Sequence, residues 1–252
     1  MSDRVLVALE GGVLTATLNR PEKKNAIDTP MIDALLTLLE RADLDGAVRV
    51  VAVRGAGGDF CAGMDLNELL ASVDKSVEEN RRAALQFAEI FVRMRRLPKP
   101  IVAVVQGRAL AGGCGLATAC DLVLATESAS FGYPEVQRGF VPAIVMTLLK
   151  RSAGEKVAFD LAATGRILGA PEAAGMGLVS RVYEDSDFED QVSEVLRALA
   201  GASPSALAFT KQQFYQLDGL RFEDGIRLGA DVNAVSRTTP DFRAALQAFL
   251  KK

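Results

Sequence analysis

The sequence of 252 residues contains no histidine. Without histidine, a Ser-His-Asp or Cys-His nucleophilic site is excluded, and so is a histidine-ligated metal site. Proton transfer near neutral pH must then fall to a carboxylate, a lysine, a tyrosine or a cysteine whose pKa is shifted. We therefore expect chemistry carried by one of these groups, and no metal.

Cysteine and long apolar runs are also scarce. The cysteines are Cys61, Cys114 and Cys120, an odd number that makes a disulfide framework improbable. No apolar run approaches the roughly 20 residues of a membrane span. The N-terminal apolar run Val5–Leu9 is too short for a secretory signal and follows Asp3. These features predict a cytoplasmic, reduced protein without a membrane partner.

The charge balance excludes another class of partner. The net charge is −3, whereas a nucleic-acid-binding protein usually shows a basic excess. Hydrophobic residues make up 49% and charged residues 24%, which is ordinary for a globular protein. The length permits one domain, or one domain with a small appendage.

The chain is organised around Pro100–Asp121. An apolar run, Ile101–Val105, predicts a buried strand and is followed by a glycine-broken turn, Gly107–Gly113, and by small residues of helical character. Such a turn aims backbone N–H groups at a negative charge. The phosphate motif GxxxxGK[ST] is not completed, because Gly113 and Cys114 stand where Lys and Ser or Thr are required. The turn therefore suits an anion other than a nucleotide phosphate.

Strands and helices alternate through most of the chain. Val5–Leu9 and Val13–Asn19 predict a β-hairpin, and Thr29 is the predicted N-cap of the first helix, which extends to about Leu44. From Phe188 onward the pattern is helical throughout. This order predicts an α/β core followed by a C-terminal helical region.

Four segments resemble the crotonase (enoyl-CoA hydratase/isomerase) family in order and spacing. They are FCAGMDL at Phe60–Leu66, PKPIVAVVQGRALAGGCGLATACD at Pro98–Asp121, FGYPEVQRGFVPA at Phe131–Ala143 and TGRILGAPEAAGMGLVSRV at Thr164–Val182. The resemblance implies a crotonase-like spiral of repeated ββα units over residues 1–200 and a helical trimerisation region over residues 201–252. It also implies a homotrimer or a dimer of trimers.

Two glycine loops, near Gly63 and near Gly112, each precede a predicted helix start. Two N–H groups that converge on one carbonyl oxygen form an oxyanion hole, which stabilises the negative charge that develops there. Ordinary tight turns are the alternative interpretation of the same pattern. The resemblance assigns the donors to the backbone N–H groups of Met64 and Gly112.

The same resemblance implies a binding region for coenzyme A, which is part of the thioester substrate and not a separate cofactor. Its adenine end would be bordered by Lys24, Ala26, Ala62, Asp65 and Leu66, whereas Phe249 and Lys252 would reach the ligand of a neighbouring subunit. The acyl group would lie in an apolar pocket near Leu69, Leu70 and Ile144.

The acid/base positions depart from the family pattern. Hydratases of this family commonly carry two glutamates that hold a water between them. The first position is Gly115 in this chain, and the second is present as Glu135. The aspartate that dienoyl-CoA isomerases add is replaced by Ala143. One carboxylate therefore remains, and an apolar pocket would raise its pKa toward the range useful for proton transfer.

Hydration of an enoyl-CoA through a stabilised enolate, with Glu135 as the single acid/base, is the predicted activity. Two alternatives stay open: a shift of a 3-enoyl double bond to the 2-position, and a non-catalytic acyl-CoA-binding protein. A nucleotide-binding oxidoreductase is disfavoured because neither phosphate fingerprint is complete.

Four further residues near these motifs have predicted roles. Cys61 and Cys114 are expected to be packing residues, since no basic neighbour in sequence would stabilise a thiolate. Asp121 is expected to anchor a loop, as Asp65 is expected to cap a helix. Tyr133, two residues before Glu135, is a candidate for orienting the substrate.

Overall fold

The computed structural model describes residues 3–251. These residues contain nine strands and ten α-helices. The strands are β1 (Val5–Glu10), β2 (Val13–Leu18), β3 (Val50–Gly55), β4 (Ile101–Val105), β5 (Arg108–Leu110), β6 (Leu122–Thr126), β7 (Ser130–Gly132), β8 (Ile167–Gly169) and β9 (Arg181–Tyr183). The helices are α1 (Thr29–Leu44), α2 (Leu66–Ala71), α3 (Val77–Arg96), α4 (Gly112–Thr118), α5 (Met146–Thr164), α6 (Ala170–Gly175), α7 (Phe188–Gly201), α8 (Pro204–Gln216), α9 (Phe222–Ser236) and α10 (Pro240–Leu250).

The larger sheet has six strands in the order β1-β2-β3-β4-β6-β9. The predicted hairpin is confirmed as the antiparallel pair β1–β2, and each later pair in this sheet is parallel. A smaller sheet has the order β5-β7-β8, with β5 and β7 parallel. Because β5 and β7 are parallel, the chain leaves both of them at the same edge of this sheet.

Helices cover both faces of the larger sheet. Alternate residues of β3 and β4 pack either with α1 and α3 or with α7, so both strands are buried on each side. A continuous apolar run such as Ile101–Val105 is typical of such a strand, whereas a half-exposed strand alternates. The predicted α/β core is therefore confirmed, with helices alone from Phe188 onward.

The predicted N-cap of α1 is wrong by one residue. Asp28, not Thr29, is the cap, and its carboxylate accepts a hydrogen bond from the Met31 amide at 3.0 Å. The same carboxylate lies 3.3 Å from the Arg20 guanidinium. Both residue types are good N-caps, and the neighbouring positive charge favours the aspartate.

One other helix boundary differs from the sequence pattern, which predicts a helix from Glu79 to about Arg96 and separate helices over Pro142–Arg151 and Glu155–Ala163. Helix α3 begins at Val77 because Ser76 and Glu79 form a capping box around its first turn. The break predicted near Gly154 is confirmed: the backbone of α5 is non-helical there, with φ +78° at Gly154, so α5 consists of two helical segments. Within residues 3–251, no helix has both the length and the apolar character that crossing a membrane requires. The division of the chain at residue 200 stays a prediction.

Candidate active site

The two glycine loops are joined by backbone pairing. The amide of Cys61 donates to the Arg108 carbonyl and the amide of Leu110 donates to the Cys61 carbonyl, both at 2.9 Å. Cys61 therefore pairs with β5, which leads directly into α4. As a result, Gly63 lies beside Ala111, although the two loops are far apart in the chain.

This approach is close enough to require glycine. A methyl group at Gly63 would lie 2.8 Å from the Ala111 Cβ and 3.3 Å from the Gly112 amide nitrogen. Gly63 also has φ +98°, which glycine adopts without strain. Ala111 itself has φ +51°, a conformation that costs a non-glycine residue energy and is concentrated at functional sites. The close contact between the loops therefore depends on the backbone conformations of Gly63 and Ala111.

The backbone around Met64 and Gly112 leaves their amides available to an external acceptor. Ile27 exchanges hydrogen bonds with the residues on either side of Met64, each at 2.8 Å, so the Met64 N–H points away from Ile27. Gly112 is the first residue of α4, and the first amides of a helix have no intrahelical partner. That both amides point at one oxygen stays a prediction.

Glu135 follows the neighbouring parallel strand. The Ala111 amide donates to the Gly132 carbonyl at 2.8 Å, so the chain leaves β5 and β7 side by side. After β7 the chain enters a short 3₁₀ helix, Pro134–Arg138, and Glu135 lies in its first turn. The parallel pairing therefore brings a carboxylate to the edge at which α4 begins.

The Glu135 carboxyl group is buried, with only 8% of the residue exposed. Its Oε2 has no hydrogen-bond partner among the described residues. Burial raises the pKa of Glu135 above its usual value, and this outweighs a local backbone hydrogen bond and the charge of Arg138. A buried carboxyl group with a raised pKa and one oxygen without a partner is a candidate acid/base.

Val145 occupies the space that a side chain at position 115 would need. A methyl group at Gly115 would overlap the Val145 Cγ1 atom and would lie 2.7 Å from its Cβ. Val145 is 3% exposed and lies at the N-cap of α5. The place of the first glutamate is therefore filled by an apolar side chain.

Four of the residues predicted to border coenzyme A lie together. The Ala62 amide donates to the Lys24 carbonyl at 2.9 Å, which joins the two segments. Arg20, which is buried, donates to the Ala26 carbonyl at 2.7 Å and to the Asp65 carboxylate at 2.8 Å. Asp65 also caps α2, as expected, so its carboxylate is engaged within the chain.

The remaining predicted ligand contacts are more dispersed. Leu66 and Leu70 are exposed, at 60% and 72%, whereas Leu69 and Ile144 are half-buried. Phe249 is 75% exposed on α10, a helix that packs on α8. Lys252 lies outside the described residues. The binding roles of all these residues stay predictions.

Sequence reasoning missed two residues that shape this region, in addition to Val145. Arg20 ties together the two segments predicted to border coenzyme A. Asn25 accepts from the Arg20 amide and donates to the carbonyls of Ala56 and Asp59. Asn25 has φ +55°, and asparagine is enriched in that conformation. Asparagine in a polar, proline-containing loop was the available signal for it, whereas nothing local marks Arg20 as buried.

Tyr133 and Asp121 serve the scaffold. Tyr133 is fully buried and its hydroxyl lies 3.0 Å from the Thr118 hydroxyl. Asp121 accepts from the Ile101 amide at 2.7 Å, which confirms it as a loop anchor. The hydroxyl of Tyr133 is thus within hydrogen-bond distance of α4. A role of Tyr133 in orienting a substrate stays a prediction.

The packing role of the cysteines is confirmed, and it predicts their reactivity. Burial raises the pKa of Cys61 to about 12 and that of Cys114 to about 11, and Cys120 is buried as well. We expect the native protein to resist iodoacetamide at pH 7, because the thiolate is scarce and shielded. Mass spectrometry should find three modified cysteines only after unfolding in urea. Rapid labelling of a native cysteine would contradict this.

The family model for enoyl-CoA hydratase/isomerase matches residues 8–252. The chain belongs to the enoyl-CoA hydratase/isomerase family. A Thermus thermophilus protein named as a candidate enoyl-CoA hydratase is 41% identical over 243 residues, covering 96% of each chain. The Escherichia coli 1,2-epoxyphenylacetyl-CoA isomerase is 32% identical, covering 100% of this chain and 97% of its own.

A solved structure confirms the fold of this family member. The crystal structure of an enoyl-CoA hydratase from Mycobacterium smegmatis superimposes with a TM-score of 0.94 at 30% identity, covering 99% of this chain and 97% of that one. The crotonase-like α/β fold is therefore confirmed. Because relatives with hydratase and isomerase names both align over nearly the whole chain, the comparisons leave the reaction open.

Proposed function

We propose that this protein binds an enoyl-CoA thioester and moves its double bond between the 3- and 2-positions, with Glu135 as the single acid/base. The thioester oxygen accepts hydrogen bonds from the Met64 and Gly112 amides. Coenzyme A enters as part of the substrate, along Lys24–Ala26 and Ala62–Leu66. The proposal rests on the family, on the edge shared by β5 and β7, and on the buried carboxyl group of Glu135.

The reaction needs one proton carrier. The Glu135 carboxylate removes a proton from C2 of the 3-enoyl thioester, and the electron pair moves into a dienolate whose negative charge lies on the thioester oxygen. Two amide donors stabilise that oxygen, a contribution of several kcal/mol in acyl-transfer enzymes. The protonated Glu135 then returns the proton to C4, which leaves the 2-enoyl thioester. No atom is gained or lost.

The contact between Gly115 and Val145 is the observation that favours this reaction over hydration. A hydratase that holds water between two carboxylates needs an acidic side chain at position 115, and Val145 takes that space. Hydration remains the second candidate, because the Thermus thermophilus relative carries a hydratase name. In that case Glu135 would both activate the water and protonate C2.

The experiment supplies matched 2-enoyl-CoA and 3-enoyl-CoA thioesters separately and follows the products by liquid chromatography, which separates the two isomers, coupled to mass spectrometry, which detects added water. Conversion of the 3-enoyl substrate without a gain of 18 mass units supports the shift. Water addition to the 2-enoyl substrate as the faster reaction contradicts the shift and supports hydration. Thermal stabilisation by acyl-CoA without turnover of either substrate indicates a binding protein.

A double-mutant cycle tests the filled position. We expect Gly115→Ala to lower the free energy of unfolding by about 1–3 kcal/mol, because the new methyl group overlaps Val145. In the Val145→Gly background the same change should be neutral or stabilising, since the obstacle is gone and alanine is favoured over glycine within a helix. Urea unfolding of the four proteins measures the coupling. Additive effects would mean that Val145 does not fill this space.

The assembly is a further part of the proposal: three or six copies of the chain. Large apolar side chains on the C-terminal helices are exposed in the single chain, among them Phe222 at 83% and Phe249 at 75%. Light scattering after size exclusion measures the number of copies. A monomer would remove the proposed contact of Phe249 with a neighbouring ligand.

A further inference from the structure

A cavity lies away from the Met64–Gly112 loops, at the C-terminal end of α4. We call it the α8 cavity; its volume is about 350 Å³. Its inner wall includes Phe91 of α3, Thr118 of α4 and Leu148 of α5, and its outer wall includes Tyr215 of α8 and Asp218 beyond it. This volume is at the lower end of the range found for small-molecule sites.

The α8 cavity lies along the same helices as the candidate active site. Phe87 of α3 lies near Gly112, and Val145 at the start of α5 lies against Gly115. One helical turn farther along these same helices are Phe91, Leu148 and Thr118, which line the cavity. The rise from Gly112 to Thr118 along α4 is about 9 Å, at about 1.5 Å per residue.

The mouth of the α8 cavity carries a surplus of positive charge. The guanidinium groups of Arg95 and Arg151 both pair with the same carboxylate oxygen of Asp218, Arg151 at 3.2 Å. One carboxylate therefore serves two guanidinium groups. Arg95 is also held in place, 4.2 Å over the ring of Tyr215. Arginine side chains arranged in this way are well suited to bind a further carboxylate.

Asp121, the other acidic residue of the cavity, does not cancel this surplus. Its carboxylate lies 2.7 Å from the ammonium group of Lys211 and accepts from the Tyr215 hydroxyl and the Ile101 amide, each also at 2.7 Å. Its charge is therefore balanced within the scaffold. Arg95, Arg151 and Lys211 face two carboxylates, which leaves one unbalanced positive charge.

We propose that the α8 cavity binds a compact organic anion, a carboxylate on an apolar body, with Arg95 and Arg151 on the carboxylate and Phe91 and Leu148 against the apolar part. Two sources share this chemistry. One is the far end of an acyl chain that carries a terminal carboxylate, and this source rests on the proposed function. The other is a separate small carboxylic acid, which does not.

The test uses hexanoate as the probe and hexanol as its neutral counterpart, titrated by calorimetry and by protein NMR. We expect saturable binding of hexanoate that is at least about tenfold tighter than that of hexanol, and an about tenfold loss in Arg151→Gln. The matched control is Arg93→Gln, which removes an exposed arginine of α3 that pairs with Glu89 outside the cavity. No saturation, equal binding of hexanol, or equal binding by Arg151→Gln overturns the proposal.

A second set of titrations separates the two sources. Hexanoate that binds equally well in the presence of saturating butyryl-CoA is a separate ligand. Tighter binding of a thioester with a terminal carboxylate than of the methyl-ended thioester of equal length, lost in Arg151→Gln, identifies the acyl terminus. Binding of hexanoate without binding of any acyl-CoA would overturn the proposed function and leave the α8 cavity as an anion site.

Discussion

Replacement of Glu135 by glutamine is expected to lower kcat by about a thousandfold, with little change in the affinity for acyl-CoA. General acid–base catalysis contributes about 10²–10⁴-fold, and this chain has no second acidic side chain at position 115 to share the task. Glutamine keeps the shape of the side chain, so substrate binding and the two amide donors should persist. Steady-state kinetics and calorimetry of a non-reacting acyl-CoA measure the two effects separately.

The same variant has a predicted effect on stability. Burial raises the pKa of Glu135, so the folded state binds this proton more tightly than the unfolded state does. The stabilisation that follows is complete below the unfolded pKa and is lost as the pH rises through the folded pKa. Glutamine has no such loss. In urea unfolding, the free energy of unfolding of Glu135→Gln should therefore increase relative to that of the wild type as the pH rises through this interval.

Glu127→Gln is the matched control, because it also removes one negative charge but at an exposed loop position after β6. We expect it to change neither kcat nor the pH dependence of stability. Retention of more than about a tenth of the wild-type kcat by Glu135→Gln would show that another group carries the proton. If the free energy of unfolding of Glu135→Gln changed with pH in the same way as that of the wild type, this would show that the Glu135 carboxyl group is hydrated in the folded state.

Local pattern was sufficient to predict the strands of the larger sheet and the glycine loops, but not the three-residue strands β8 and β5, the latter inside the predicted turn Gly107–Gly113. The run Ile101–Val105 is apolar at every position because β4 is buried on both faces, and the turn at Gly107–Gly113 is glycine-rich because backbones approach closely there. The N-cap of α1 was missed for a different reason. Asp28 and Thr29 are both suitable N-caps by residue type, and the ion pairs that favour Asp28 come from Arg4 and Arg20, which are distant in the chain.

The features that local pattern could not predict depend on packing between distant segments. Gly115 and Val145 are each ordinary in sequence, and only the approach of α5 to α4 makes one fill the space of the other. In the sequence Arg20 belongs to a polar loop, and only the fold places two carboxylates and a carbonyl around its guanidinium group. The α8 cavity likewise needs four helices in place. The sequence pattern therefore predicts the glycine loops of the candidate site better than its walls.

Gly113→Ala is expected to damage both the fold and the site. A methyl group there would overlap the Cys61 carbonyl oxygen and would lie 2.7 Å from the Cβ and Sγ of Cys61. Added volume of this kind typically costs about 1–3 kcal/mol, which exceeds the gain of about 0.5–1 kcal/mol from alanine in a helix. Urea unfolding should show the difference as a net loss of stability.

Activity should fall further than stability alone explains, because Cys61 belongs to the loop that positions Met64. If the loop moves away from α4, the two amides no longer share one acceptor, and the loss of one such donor costs about 10²–10³-fold in kcat. Gly175→Ala is the control, since a methyl group at the end of α6 meets open space. A folded Gly113→Ala protein with the wild-type kcat would contradict the proposed oxyanion hole. Its activity would then not depend on a fixed distance between the Met64 and Gly112 amides.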